Sequence, residues 1–73
     1  MEVRITDDIR TVDIESRIVE ASVFTDGGEV VLSGEVWVNH KHHWASIDSD
    51  FEVDLEAAGY EPSQVRDLIE CRL

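Results

Sequence analysis

Three sets of residues in this chain could do chemistry. The first is the run His40-Lys41-His42-His43. Two histidines two positions apart on a strand can share a zinc ion, with an acid completing the shell. Here the run falls at a turn with no evident fourth ligand, so neither a metal nor any other cofactor is expected. It is the one locally basic spot on an acidic chain, which makes His42 a point where a partner's carboxylates would be met. The second set is a comb of acids, Asp48, Asp50, Glu52 and Asp54, recurring at every second position. On a strand these carboxylates would stand ~6.7 Å apart, close to the spacing of successive phosphates along a nucleic acid. The third set is Trp37 and Trp44, large aromatic surfaces suited to anchoring a partner.

Nothing else reads as a reaction centre. Carboxylate pairs are uninformative at this composition, and the serines and histidines lack a nucleophile context. Gly27-Gly28 belongs to a turn. Cys71, the single cysteine, lies near a helix C-terminus, the wrong end to activate a thiolate. It also permits no internal disulfide, which suits a reducing compartment. An enzyme is not expected.

The elements that must position these residues follow from periodicity. From His43 to Leu55 apolar and polar residues alternate, with Ala45, Ile47, Phe51, Val53 and Leu55 on one side and the acids on the other. Strict alternation predicts a strand with one buried face. Glu29 to Val38 alternates too, placing Val30, Leu32, Val36 and Val38 together with Gly34 among them. With His40-Lys41 as a two-residue loop, Trp37 faces Trp44, Val36 faces Ala45 and Val30 faces Phe51. A longer loop of the same parity remains open, because the Gly of a type I′ turn is missing. Upstream, Asp26-Gly27 signals a hairpin in which Val23 faces Val30, Ala21 faces Leu32 and Val19 faces Gly34. Three strands result, roughly Ser16–Thr25, Glu29–Asn39 and His43–Leu55.

Two segments carry alternatives. Around residues 7–15, Ile9, Val12, Ser16 and Val19 have helical spacing, but the β-branched content favours another strand. Ser49–Ala58, with Phe51, Leu55 and Ala58, also suits a short helix closed by Gly59, and that helix would break the acidic comb. The tail reads as a helix. Pro62 suits the first helical position, Tyr60 and Val65 form a staple, and Val65, Leu68, Ile69 and Arg72 make a stripe. The expected fold is α+β, a small antiparallel β-meander of three to four strands with one C-terminal helix packed on one face.

On the opposite face this register gathers Trp37, Trp44, Val31, Ile18 and Phe24 with Glu20, Glu29, Glu35, Asp48, Asp50, Glu52 and Asp54. Glu29 would face Glu52, a destabilising like-charge pair. That face is either a docking surface or a second small core covered by Val3, Ile5 and Ile9. The candidate partner-binding residues are Trp37, Trp44, Glu35, Asp48, Asp50, Glu52, Asp54 and His42.

Length and charge bound the function. Seventy-three residues, with 6 Lys+Arg against 17 Asp+Glu and a net charge of −11, make one domain, residues 1–73. That balance excludes gripping phosphates by charge. The 42% apolar content opposes disorder. No run approaches the roughly 20 apolar residues of a membrane helix, and the first residues lack the pattern of a signal peptide, so a cytoplasmic protein is expected.

Val23-Phe24-Thr25-Asp26-Gly27-Gly28-Glu29-Val30-Val31-Leu32-Ser33-Gly34-Glu35-Val36 resembles the hairpin of BON-type domains, but the flanking helices of that family are not evident. In length, single-domain form and acid surplus the chain is similar to small phage-encoded proteins that disable host machinery, among them DNA mimics, anti-CRISPR proteins and inhibitors of host RNA polymerase. Composition and length carry that likeness, so no functional residue transfers. It implies a non-enzymatic protein that docks on a basic, nucleic-acid-handling host protein. Host RNA polymerase is the leading candidate, with transcription inhibition the consequence. The alternatives are an anti-CRISPR or anti-restriction DNA mimic, and an acidic domain adapted to a salty cytoplasm, which five arginines to one lysine would suit.

Overall fold

The β-branched run before Ser16 forms a strand. A computed structural model describes all 73 residues, in the order β1 (Glu2–Thr11), β2 (Ser16–Phe24), β3 (Val30–Asn39), β4 (Trp44–Ile47), α1 (Ser49–Ala57) and α2 (Pro62–Glu70). The strands form one antiparallel sheet in sequence order, β1-β2-β3-β4. The fold is α+β as expected, with one helix more than the sequence reading counted.

Both registers keep the expected faces but shift the partners by two residues. At the first hairpin the loop is Asp26-Gly27-Gly28. Thr25 N–H donates to Glu29 O at 2.8 Å, Gly28 N–H donates to Thr25 O at 2.9 Å, and Gly28 takes φ 85°. This is a three-residue loop whose last position needs the left-handed conformation that glycine supplies. The extra loop residue alone would turn every side chain to the wrong face. A bulge between Val23 and Phe24 adds a second residue and restores parity. Val19 therefore faces Val36, Ala21 faces Gly34 and Val23 faces Leu32.

At the second hairpin the loop is four residues, His40–His43, so Asn39 faces Trp44, Val38 faces Ala45 and Val36 faces Ile47. Asn39 Oδ1 accepts the His42 N–H at 2.8 Å, and His40 N–H donates to Glu15 O at 3.0 Å. The expected Trp37–Trp44 and Val36–Ala45 pairs are corrected accordingly.

The expected strand His43–Leu55 ends at Ile47. Asp48 then caps α1, its side chain accepting the Asp50 N–H at 3.1 Å. Gly59, at φ 88°, closes the helix, with Gly59 N–H to Glu56 O at 3.1 Å and Tyr60 N–H to Leu55 O at 2.9 Å. That pair of bonds is a Schellman motif. Phe51 and Leu55 serve a helix as well as a strand, because positions four apart also share a helical face. Val53, buried in the strand reading, is 64% exposed.

One core cluster holds Val3, Val19, Ala21, Val23, Val36, Val38 and Ala45 from the sheet, with Phe51 and Leu55 of α1 and Val65 and Ile69 of α2. Both helices thus cover the same face. Phe51 lies on Gly34, where any Cβ would overlap its ring. Tyr60 and Val65 both join this core, as a staple at the Pro62 start of α2 requires. At the free edge of β4, Glu70 Oε2 accepts the Ala45 N–H at 2.9 Å, occupying a backbone donor that an edge strand otherwise presents.

Candidate functional site

The other sheet face carries no helix, and its residues form transverse rows. A strand's side chains alternate, so residues paired across strands share a face and line up perpendicular to the chain. Arg10 pairs with Ile18, Ile18 with Trp37, and Trp37 with Ser46. In the next row Asp7 pairs with Glu20 and Glu20 with Glu35. Asp48 extends this row, its N–H donating to Glu35 O at 3.1 Å. Arg4, Ser22 and Ser33 form a third row, where Ser22 Oγ and Ser33 Oγ lie 2.6 Å apart. Beyond them Glu2 pairs with Phe24.

Directly opposed carboxylates on neighbouring strands repel one another. No salt bridge reaches Asp7, Glu20, Glu35 or Asp48. Four of the six Lys and Arg side chains are paired elsewhere: Arg4 with Glu2 at 2.6 Å, Arg17 with Asp8 at 3.3 Å, Lys41 with Glu15 at 3.2 Å and Arg66 with Asp67 at 3.3 Å. Glu20 gains one neutral donor, the Thr6 hydroxyl at 3.0 Å. This arrangement costs folding stability, and it sits beside a tryptophan.

Trp37 is 42% exposed and Trp44 39%. They share the open face but sit diagonally, since Trp37 faces Ser46 and Trp44 faces Asn39. No second core covers them. Val3 belongs to the main core, and Ile9 is itself exposed on a strand that pairs beside β2. Beside Trp37 lies a cavity of about 300 Å³, lined by Ile18, Glu35, Trp37, Ser46, Ile47 and Asp48 among others.

At the far end of the same face, Arg4 stands 4.6 Å from the centre of the Phe24 ring and hydrogen-bonds Glu2. That bond, first among the causes, holds the Glu2 carboxyl below its usual range and raises Arg4.

Of the residues expected to bind a partner, Trp37, Trp44, Glu35 and Asp48 are brought together around β3 and β4. The acidic comb is not formed. Asp48 is a helix cap, and Asp50, Glu52 and Asp54 ride on α1 rather than on a strand. Asp50 and Asp54 do line a hollow with Glu20, Glu35 and Asp48. Glu52 lies on another side, in a groove with Glu56 and Arg66 beside the β4 edge. Glu29 lies in the first hairpin and faces no residue of α1, so the expected Glu29–Glu52 opposition is replaced by Glu20–Glu35.

His42 sits in the β3–β4 turn, its Nε2 3.9 Å from Glu15, apart from the acidic row. No group of three or more His, Cys, Asp or Glu side chains is placed to hold a metal ion. Asp7 and Glu20 were not among the candidates. Asp7 joins the row through the bulge between Ile5 and Asp7, and Glu20 meets Glu35 through the loop and bulge of the first hairpin, which no local pattern announces.

A scan of protein-family models, a search of curated proteins and a search of solved structures find no match to this chain. No helix is long and apolar enough to cross a membrane.

Proposed function

We propose that this protein is a non-enzymatic binding module whose helix-free face docks on a basic surface of a nucleic-acid-handling protein. One observation carries the reading: an exposed tryptophan abuts a row of opposed carboxylates with no cation of the chain's own. An aromatic anchor beside charged groups is the usual anatomy of an interface hot spot. A partner's lysines and arginines would relieve the repulsion within the row, and the −11 net charge would speed their approach. Host RNA polymerase, with transcription inhibition as the outcome, is the first partner to test, in keeping with the likeness to small acidic phage inhibitors. Phosphate mimicry has less support, because the strand-borne comb is absent and strand-to-strand spacing in the row is only about 4.8 Å.

The test is capture on the immobilised protein at low and at raised salt, from a bacterial lysate and with purified bacterial RNA polymerase. A basic nucleic-acid-handling partner should be retained at low salt and released as salt rises, and Trp37→Ala should abolish retention while circular dichroism shows an intact fold. Absence of any such partner at low salt, or retention indifferent to Trp37→Ala, would overturn the reading. So would unfolding of the domain in dilute buffer, which would make the acidic row an adaptation to salt.

A further inference from the structure

We propose that the cavity beside Trp37 receives an arginine side chain of the partner, its guanidinium lying against the indole and paired with Glu35 and Asp48. This rests on the docking reading above and names the group that the face recognises. The cavity, about 300 Å³, is of side-chain size and lies at the lower bound of small-molecule sites. Ile18 and Trp37 offer apolar wall for an aliphatic stem, while Glu35, Asp48 and Ser46 offer oxygen acceptors. The Glu35 carboxylate makes no hydrogen bond or salt bridge. Asp48 commits Oδ2 to the Asp50 N–H, which leaves Oδ1 available.

The molecule already contains one complete example of this recognition. On the same face Arg4 stands over Phe24 while its guanidinium hydrogen-bonds both oxygens of Glu2, at 2.6 and 3.1 Å. Trp37 and Glu35 repeat the pairing of an aromatic ring with a carboxylate, but without the arginine. Arg10, the nearest cation in the row, lies two strands from Trp37 and makes neither an ion pair nor a ring contact. A planar guanidinium stacks on an aromatic face and binds carboxylates in a fork. A lysine ammonium is a strongly hydrated point charge and gains less from an apolar wall. An anionic ligand would meet the wrong sign of charge, and a bare metal ion would find no cluster of ligands.

The experiment titrates an arginine-rich peptide, and a lysine-rich peptide of equal length and charge, against the full chain carrying Trp44→Phe. Trp37 is then the sole tryptophan reporter. The arginine peptide should shift Trp37 fluorescence saturably and bind several-fold more tightly than the lysine peptide. Glu35→Gln with Asp48→Asn should weaken it roughly tenfold, asparagine at 48 preserving the helix cap. Glu52→Gln with Glu56→Gln removes the same charge from the β4-edge groove and should change binding little. Equal weakening by the two double variants would reduce the effect to net charge and overturn the proposal, as would equal affinity for both peptides. If the slot fails in this way while Trp37→Ala still abolishes retention of the whole partner, the docking face stands without the arginine site. If Trp37→Ala leaves retention unchanged, both readings fall.

Discussion

The two faces of this sheet are built from the same three long strands on opposite principles. The helix-covered face holds the apolar core and is packed so tightly that β3 carries glycine where Phe51 lies. The open face is zoned in rows, with two exposed tryptophans, a row of opposed acids and a row of hydroxyls. On the covered face each contact favours folding. On the open face the acidic row opposes folding, and the tryptophans leave apolar area in water. A chain of 73 residues has a thin core and little stability to spare. Stability sacrificed on one face and conserved on the other is the contrast on which the proposed docking surface rests.

The contrast can be broken or sharpened by substitution. The largest effect belongs to the covered face. Phe51→Ala should cost about 3–5 kcal/mol, enough to unfold much of the population in a denaturant titration; a loss no larger than at an exposed aromatic would deny that α1 is part of the core. Trp37→Ala should cost only about 1–2 kcal/mol of stability, since much of the ring is already wet.

Glu35→Gln should do what no truncation on the covered face can do and stabilise the protein, by about 0.2–1 kcal/mol. The gain should shrink as salt screens the row it relieves. A destabilised variant at low salt would show that Glu35 has a favourable role in folding.

The smallest effect belongs to the one satisfied acid at the far end of the open face. Arg4 lowers the Glu2 carboxyl in the folded state, so its contribution is present above the ordinary carboxylate range and fades as pH falls through the lowered value. Arg4→Gln should therefore lower stability slightly at neutral pH, and the difference from wild type should close as pH falls through the lowered value. Stability identical to wild type at neutral pH would show that this pair contributes nothing.

Much of the fold was legible because facing is a local property. Trp37, Ile18 and Glu35 share a face whatever loop joins their strands, provided parity is kept, and parity was kept in both hairpins. The C-terminal helix was legible from Pro62, Tyr60 and Val65, whose roles depend on neighbours a few residues away. Residues 49–57 were the hard case. Phe51, Val53 and Leu55 alternate as in a strand, yet Phe51 and Leu55 alone also satisfy a helix. The Asp48 cap, the Gly59 closure and the vacant space over Gly34 decide for the helix, and the last of these exists only in three dimensions.

From residue types and spacing alone come the α+β class, the face each strand residue belongs to and the acid surplus. Tertiary structure alone decided that Trp37 stands beside Ser46 rather than Trp44, and that the acids align across the strands instead of along one. The physical reason is that side-chain alternation repeats every two residues, so a register displaced by two leaves every face intact and changes every partner. Loop length and bulges settle which partners meet, and these brought Asp7, Glu20, Glu35 and Asp48 from four separate segments into a single row.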